Sequence, residues 1–357
     1  MCSDRKAPTI QDVAIFANVS TATVSRALSS PEKVSESTRA RVADAVRVTG
    51  YTLNQAGRSL RQRTARTILV ALPDIRNPFF SSILDAVERE AAARGYGVLV
   101  LNLFLGHETV RRLQDFLLSN RADGLLLLDG SINVSLLTAV TKQVADLPIV
   151  VGCEDIPNSG FHTVLTDNVE AAYRATQHLV DLGHRRIGHL LGPEHNIVAK
   201  DRLAGFSRAL AHAGLAPSPE WMFRGNFEME SGFAAAARFM SLSDRPTAIF
   251  AANDESAIGF LSGLRQQGVF CPGDISIVGF DDLGVAPHYV PPLTTMRQPR
   301  EALGRMAAEA LIDIIEDPSS LAQPLRIVLR SELVVRESTS RLVLDPTVAA
   351  NTHVAIV

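Results

Sequence analysis

The stretch TIQDVAIFANVSTATVSRAL, residues 9–28, predicts two short helices joined by a tight turn. The apolar residues of its first half recur at helical spacing: Ile10, Val13, Ala14 and Ala17. Its second half begins at Ser20, a residue type that caps helix N-termini, and carries small and hydroxyl side chains around Arg26. Such a helix buries little but lets the backbone approach a DNA duplex closely, which is typical of a helix that lies in a groove.

The charge of the chain is unevenly distributed. Residues 1–66 carry eleven Lys and Arg against five Asp and Glu, a net +6, which leaves −9 for the rest of a chain whose total is −3. A basic head on an acidic body favours a polyanionic partner for the head, although charge alone fits a solvated surface equally well. Residues 52–66, TLNQAGRSLRQRTAR, hold four arginines and no acid, which predicts a linker or a short helix that orders on an anion.

Length and composition predict a chain of two or three domains with sizeable cores, because it has 357 residues and is 46% hydrophobic. No apolar run approaches the ~20 residues that span a bilayer. The start, MCSDRKAPTI, shows no apolar signal region, and the three cysteines are far apart. We therefore expect a cytoplasmic protein without membrane contact, disulfides, metal or cofactor.

From Thr67 onward, buried-strand patterns alternate with amphipathic helix patterns. The strand patterns include ILVALP (68–73), YGVLVLN (96–102), DGLLLL (123–128), LPIVVG (147–152), HTVLTD (162–167), RIGHLL (186–191), TAIFAA (247–252) and ISIVGF (275–280). Helices are expected between them, one of them near 134–145. This alternation indicates parallel sheets with helices on both faces, in two α/β units that break near 155–162.

The chain resembles the LacI/GalR family of bacterial repressors. The residues that carry the resemblance are TIQDVAIFANVSTATVSRAL, KVSESTRARV, GYTLNQAGRSLR, RTILVALPDIRNPFFSSI, DGLLLL, LGHRRIGHL, DRLAGF, AANDESAIGF, ISIVGFDD and PPLTTMRQP. They occur in the family's order and spacing and cover about residues 9–338. Within the family, VSTATVSRAL and RTILVALPDIRNPFF are most similar to the cytidine-responsive repressors.

The resemblance implies an all-α helix-turn-helix headpiece followed by an α/β body like the periplasmic binding proteins, with two doubly wound parallel-sheet subdomains. The expected boundaries are 1–51 for the headpiece, 52–66 for a hinge or linker, 67–339 for the effector-binding and dimerisation body, and 340–357 for a disordered tail. Within the body, the N-subdomain is expected at 67–157 plus 297–320, and the C-subdomain at 162–292 plus 325–338.

The resemblance also implies which headpiece residues contact DNA. Thr21, Ala22 and Arg26 match the base-reading positions, and Leu60 matches a hinge leucine that wedges between base pairs. The hydroxyls of Ser20, Thr23 and Ser25 suit phosphate contacts, although Thr23 could instead pack against the first helix, as we expect of Val24. The remaining positions expected to contact DNA are Thr9, Asn54 and Arg58.

Polar and aromatic residues follow the predicted strands, where parallel sheets bind ligands. The residues that match effector-contact positions of the family are Arg202, Phe227, Asn253, Asp281 and Gln298. Those that match pentose-binding relatives are Asn77, Phe79 and Phe80. Alternatives remain: a helix cap for Asn253 or Asp254, a core position for at least one phenylalanine, and a surface ion pair for Arg202. Cys153 and Glu154 are left out, because the register there is uncertain by one residue.

The sequence therefore predicts a homodimeric transcriptional regulator, most simply a repressor, that binds a near-palindromic double-stranded operator under control of a small effector. A nucleoside is the first expectation for that effector and a pentose the second, with nucleobase and hexose open. The alternative is a solute-binding receptor of the periplasmic sugar-binding type. An enzyme is not expected, because the histidines have no spaced partners and no nucleotide-binding or nucleophile motif occurs.

Overall fold

The computed structural model describes residues 8–51, 64–104, 107–119, 121–130, 132, 137, 147–320 and 323–342. The chain divides into two compact units, Met1–Ala65 and Arg66–Val357, which we call the headpiece and the body. Several predicted features lie outside the described residues: the segment 52–63 with Asn54, Arg58 and Leu60, nearly all of the helix expected near 134–145, and the tail from 343 onward.

The described part of the headpiece has three α-helices: α1 (Ile10–Ala17), α2 (Thr21–Ser29) and α3 (Glu36–Thr49). Their inner faces share one small core made of Val13, Ala14, Ala17, Val24, Val42 and Ala45. Thr9 fixes the start of α1 through a capping box with Asp12. The left-handed conformation of Asn18 then ends α1, so the chain turns tightly into α2.

The body contains two six-stranded sheets. The N-sheet has the order β11-β5-β4-β3-β1-β2, and the C-sheet has the order β12-β10-β9-β8-β6-β7. The strands are β1 (Thr67–Leu72), β2 (Gly97–Asn102), β3 (Gly124–Leu127), β4 (Ile149–Cys153), β5 (His162–Thr166), β6 (Ile187–Leu190), β7 (Met222–Phe223), β8 (Ala248–Ala251), β9 (Ser276–Asp281), β10 (Thr294–Arg297), β11 (Arg326–Leu329) and β12 (Glu332–Val334). Among the described residues every pairing is parallel except that of β12 with β10.

Seven helices are described in the body: α4 (Phe79–Ala93), α5 (His107–Leu118), α6 (Asn168–Asp181), α7 (Ile197–His212), α8 (Met229–Met240), α9 (Asp254–Gln266) and α10 (Arg300–Glu316). They pack in pairs, α4 with α10, α6 with α7 and α8 with α9. Apolar cores lie against both sheets, and central strands such as β3 and β8 are buried throughout. The predicted class, a helical headpiece with two doubly wound parallel sheets, is confirmed.

Two strands lie in the other sheet from the one predicted. β5 and β11 were expected in the C-subdomain, but β5 pairs with β4, and β11 pairs with β5, so both belong to the N-sheet. The break expected near 155–162 therefore falls later. The chain crosses between the sheets at 167, at 298–299 and at 330–331. Local alternation of strand and helix patterns does not say which sheet a strand joins, because pairing is a non-local property.

Residues 340–342 were expected to belong to the tail, but they form hydrogen bonds with the body. The N–H of Ser340 donates to Ser276 Oγ at 3.0 Å, and the N–H of Leu342 donates to the Leu182 carbonyl at 2.9 Å. The Nε2 atom of the buried His184 imidazole lies 3.0 Å from Ser276 Oγ and 3.1 Å from the Ser340 carbonyl oxygen. Residues 340–342 are thus bound to the C-sheet side of the body.

The backbones of α8 and α9 touch at two glycines. A Cβ on Gly259 would lie 1.9 Å from the Met229 carbonyl oxygen, and a Cβ on Gly232 would lie 2.0 Å from that of Ser256. Both contacts are to backbone, which cannot rotate away as a side chain can. The two helices therefore pack at a separation that only glycine allows.

Gly259→Ala is expected to lower the free energy of unfolding by about 1–3 kcal/mol, the usual cost of overpacking. Urea denaturation measures it. Gly284→Ala is the matched control, because a Cβ there would meet nothing within 4 Å. Equal stability of the two variants would show that the helices separate without cost.

Candidate functional site

The predicted DNA-contact residues of the headpiece are exposed or half-buried. Thr21, Ala22 and Arg26 are exposed on α2, while Val24 is fully buried in the headpiece core. The Ser20 hydroxyl accepts the N–H of Thr23 at 3.1 Å, so it caps the helix as well as facing solvent. α2 therefore presents small side chains and one arginine outward.

Local contacts or partial burial constrain several of the predicted DNA-contact side chains. The Thr9 hydroxyl donates to the Asp12 carboxylate at 2.7 Å, which ties it to the start of α1. Thr23 and Ser25 are half-buried, so their hydroxyls reach solvent only in part. The Arg26 Nε donates to the Ala22 carbonyl at 3.3 Å, which lays the side chain along its own helix.

All eight predicted effector residues line one cavity of the body, which we call the inner chamber. Its volume is about 60 Å³, and the eight are Asn77, Phe79, Phe80, Arg202, Phe227, Asn253, Asp281 and Gln298. A larger outer chamber of about 550 Å³ adjoins it and shares four lining residues: Asn77, Phe80, Glu154 and Phe227. The chambers lie where strands of both sheets end, the usual ligand position in such folds.

A buried arginine organises the inner chamber. The Nε of Arg202 donates to Asn168 Oδ1 at 3.0 Å, its Nη1 donates to the Ala252 carbonyl, and its Nη2 lies 3.7 Å from Asp281 Oδ1. The guanidinium carbon stands 3.7 Å from the ring centroid of Phe280. Since Arg202 is only 5% exposed, the alternative of a surface ion pair is wrong.

Asp281 supplies a buried carboxylate beside this arginine. Its backbone has a φ of 111°, a strained conformation that turns the side chain into the chamber at the end of β9. Gln298 Nε2 donates to Asp281 Oδ1 at 2.8 Å. Burial raises the pKa of Asp281, and the positive charge of Arg202 and the Gln298 hydrogen bond oppose that shift. Both contacts fall on Oδ1, so Oδ2 can accept a ligand hydroxyl.

Asn253 has the capping role foreseen as an alternative and lines the chamber as well. Its Oδ1 accepts the N–H of Ser256 at 3.1 Å, and its Nδ2 donates to the Phe227 carbonyl at 2.8 Å. Asp254 does not line either chamber. Its buried carboxylate accepts from Thr295 Oγ1 at 2.6 Å and from the N–H of Leu283 at 2.8 Å.

The two phenylalanines serve both as core and as wall. Phe79 and Phe80 meet edge to face, with ring centroids 5.1 Å apart, and both belong to the N-sheet core. Asn77 accepts the N–H of Phe79 at 2.8 Å, which starts α4 at the chamber. The expectation that at least one phenylalanine is a core residue is therefore met by both.

Three residues of the inner chamber lie outside the predicted set: Cys153 and Glu154, which were left out because the register was uncertain by one residue, and Val198, which was not considered. Glu154 Oε1 accepts from Asn196 Nδ2 and its Oε2 from the N–H of Gly130, both at 2.9 Å. Burial raises the pKa of Glu154 to about 7, the charge of Asp129 adds to the shift, and the two hydrogen bonds oppose it. The sequence does point to Glu154, because this residue follows the end of the predicted strand LPIVVG (147–152).

Among the described residues, no group of three or more His, Cys, Asp or Glu is placed to hold a metal ion. In the same part of the chain, no helix is long and apolar enough to cross a membrane. The chamber chemistry is thus that of side chains: one guanidinium, carboxylates, amides and aromatic rings. Together they can bind hydroxyl groups and cover the apolar face of a ring.

Two parts of the chain match two different protein-family models. Residues 9–54 match the model described as bacterial regulatory proteins, lacI family, and residues 176–339 match a periplasmic binding protein-like domain. The chain is 38% identical over 336 residues to the HTH-type transcriptional repressor CytR of Escherichia coli (strain K12), covering 94% of this chain and 97% of that protein.

Solved structures give the same result. A lac repressor dimer bound to operator and the anti-inducer ONPF has a TM-score of 0.83 at 27% identity, covering 94% of this chain and all of that one. A LacI family transcriptional regulator from Enterococcus faecium with bound ribose has a TM-score of 0.69 at 27% identity, covering 77% and 99%. The predicted resemblance is confirmed.

The pKa of Glu154 makes stability depend on pH. Because the folded-state pKa is raised to about 7, the folded chain binds a proton that the unfolded chain has already lost. Stability therefore falls as pH rises from about 5 to about 8. Relative to wild type, Glu154→Gln is expected to gain up to about 3 kcal/mol across this range. Urea denaturation at each pH measures the difference.

Glu88→Gln removes an exposed carboxylate of α4 and serves as the control for that series. Its stability difference from wild type should stay constant with pH. A constant difference for Glu154→Gln would mean that the Glu154 carboxyl is as well solvated in the folded chain as in the unfolded chain.

Proposed function

The chain belongs to the LacI family of bacterial regulatory proteins, and we propose that it is a transcriptional repressor whose operator affinity changes when a small molecule binds in the cleft. The observation that carries this proposal is the convergence of all eight predicted effector residues on one chamber, in a chain that also has a separate DNA-binding headpiece.

α2 is the proposed recognition helix. Thr21 and Ala22 are small enough for close approach to thymine methyls, and Arg26 can bind a guanine edge or a phosphate. Ser20, Thr23 and Ser25 suit phosphates, and Thr9 is a further contact. From the segment outside the described residues, Asn54, Arg58 and Leu60 are proposed to contact the minor groove.

The effector proposed is a nucleoside, with a pentose as the second choice. Asp281, Asn253 and Arg202 offer acceptors and donors for the paired hydroxyls of a ribose ring, and the phenylalanines offer apolar cover. The similarity to CytR and to a regulator with bound ribose supports this class. A nucleoside contains the ribose ring and adds an aromatic base.

The proposed assembly is a homodimer in the cytoplasm, where operator DNA is found. Two headpieces would bind the two half-sites of a near-palindromic operator, about one helical turn apart. Effector binding would then shift the balance between two arrangements of the sheets, and such coupling is typically 1–3 kcal/mol.

Two other classes fit less well. The match at residues 176–339 would suit a solute-binding receptor, but such a receptor has no use for a headpiece of the lacI type at 9–54. Catalysis is not part of the proposal, because the similar curated protein is a repressor and the chamber residues suit binding. Conversion of a bound nucleoside to products during incubation would contradict this.

A thermal-shift panel tests the effector class with cytidine, uridine, adenosine, ribose, glucose and cytosine. A ligand at 100 times its Kd stabilises the folded chain by about 2.7 kcal/mol, which raises its Tm by several degrees. The nucleosides should give the largest shifts. A shift with glucose alone would replace the proposed class by hexoses.

Arg26→Ala and Arg202→Ala should separate the two roles. Arg26→Ala is expected to weaken operator binding by about 10- to 100-fold and to leave effector affinity unchanged, because base-specific arginine contacts are worth about 1–3 kcal/mol. Arg202→Ala should abolish the effector response and keep operator binding. Fluorescence anisotropy on an operator selected from random DNA measures the first, and calorimetry measures the second.

Matched controls remove the same charge elsewhere. Arg47→Ala changes an exposed arginine of α3, and Arg208→Ala changes a half-buried arginine of α7 that pairs with Glu170 outside the chambers. Circular dichroism establishes that each variant is folded. If a folded Arg202→Ala chain also loses its operator, the separation of DNA reading from effector binding is refuted.

A further inference from the structure

The outer chamber is strongly acidic. In the described part of the chain its lining includes six carboxylates, one arginine (Arg76) and one histidine (His195), the carboxylates being those of Asp74, Asp129, Glu154, Glu228, Glu230 and Glu255. The arginine is already engaged: Arg76 donates to Asp74 at 2.7 and 3.0 Å and stands 4.4 Å from the ring centroid of Phe104. Arg76 also interacts electrostatically with Glu228 and Glu230, more weakly than with Asp74, so one positive charge is shared among several carboxylates.

The C-sheet side of the chamber has the least compensation. In the described part of the chain, no lysine or arginine forms an ion pair with Glu228, Glu230 or Glu255. Burial raises the pKa of Glu255 to about 7, and nearby carboxylates, those of Asp281, Asp74, Glu230 and Glu228, raise it further. Above about pH 7 the ionised Glu255 therefore adds its charge to that of the neighbouring carboxylates.

Four helices begin at the two chambers, and helix N-termini attract anions. The helices are α4, α7, α8 and α9. Each contributes about half a positive charge, which is less in total than the carboxylates contribute. Side chains also occupy N–H groups that an anion would need: Asn77 accepts from Phe79, Asn196 from Ala199, and Asn253 from Ser256.

An effector must lie largely in this acidic space. The inner chamber, at about 60 Å³, has the volume of about two water molecules. A nucleoside or a sugar therefore extends into the outer chamber of about 550 Å³, which is within the range of ordinary ligand pockets. The charge of the outer chamber thus acts on the ligand itself and not only on its approach.

We propose that the outer chamber excludes phosphate esters, so that the effector is a free nucleoside or sugar and not its phosphorylated form. The choice of nucleoside or sugar rests on the function proposed above, while the exclusion of anions rests on the chamber alone. Glu228, Glu230 and Glu255 are the residues that determine this specificity, because they carry the least compensated charge.

A tryptophan placed in the chamber measures its potential without any effector. The chain has one tryptophan, Trp221. In a Trp221→Phe background, Met229→Trp places an indole on a half-exposed position of the chamber wall, between two of the glutamates. Cationic caesium should quench its fluorescence several times more efficiently than anionic iodide, relative to free N-acetyltryptophanamide, and added salt should reduce the difference.

Neutralising the three glutamates should remove the difference between the ions. The triple variant Glu228→Gln, Glu230→Gln and Glu255→Gln is compared with a matched triple at exposed carboxylates outside the chambers: Glu88→Gln, Glu309→Gln and Glu332→Gln. The comparison is made above pH 8, where Glu255 is ionised because its pKa is about 7. Both triples then lose the same net charge, so only the first should change the quenching ratio. Phe104→Trp provides a second probe position if Met229→Trp does not fold.

Calorimetry then compares cytidine with cytidine 5′-monophosphate and ribose with ribose 5-phosphate. Each phosphate ester should bind at least about 100-fold more weakly than its free form, and the chamber triple should reduce this factor to about 10 or below. Equal quenching by iodide and caesium, or equal affinity for a phosphate and its free form, overturns the exclusion. If neither cytidine nor ribose binds while the quenching difference remains, the proposed effector class fails and the exclusion stands.

Discussion

The buried guanidinium of Arg202 is the group on which the cleft depends. It reaches the ends of two neighbouring C-sheet strands, through the Ala252 carbonyl and the Asp281 carboxylate, and stacks on Phe280. A buried charge is costly unless it is paired and hydrogen-bonded, so these groups must stay in place around it. Removing the arginine would leave the Asp281 carboxylate buried without its positively charged neighbour. The shape of the inner chamber therefore depends on Arg202.

Asn168 connects this arginine to a crossover between the sheets. Its Oδ1 accepts from Arg202 at 3.0 Å, and its Nδ2 donates to the Thr166 carbonyl at 3.1 Å, at the end of β5 in the N-sheet. Asn168 is also the first residue of α6, directly after the chain leaves that sheet. One amide thus joins the chamber to a crossover between the two sheets, and crossovers of this kind are where hinges between domains are usually found.

The sequence predicted the candidate site well because its residues follow strand ends. Asn253 and Asp281 each come directly after an apolar run, and Asn77 follows another such run after a short turn. Parallel strands bring such positions to one edge. Glu154 also follows a strand, but it was left out of the predicted site because its register was uncertain by one residue. Such a shift exchanges the two faces of a strand. The acidity of the outer chamber was also not foreseen, since Asp74, Glu154 and Glu255 are far apart in the chain and meet only in the fold.

The sequence by itself determined the helical headpiece and the alternation of strands and helices, because helix periodicity, caps and strand ends are local patterns. Its resemblance to the LacI family indicated eight of the eleven residues that line the inner chamber. The tertiary structure alone decided that β5 and β11 join the N-sheet and that residues 340–342 bind near His184. It also decided how Arg202 is held and how the carboxylates of the outer chamber gather. These features arise from contacts between distant segments, whose pairing energies depend on geometry that no local pattern contains.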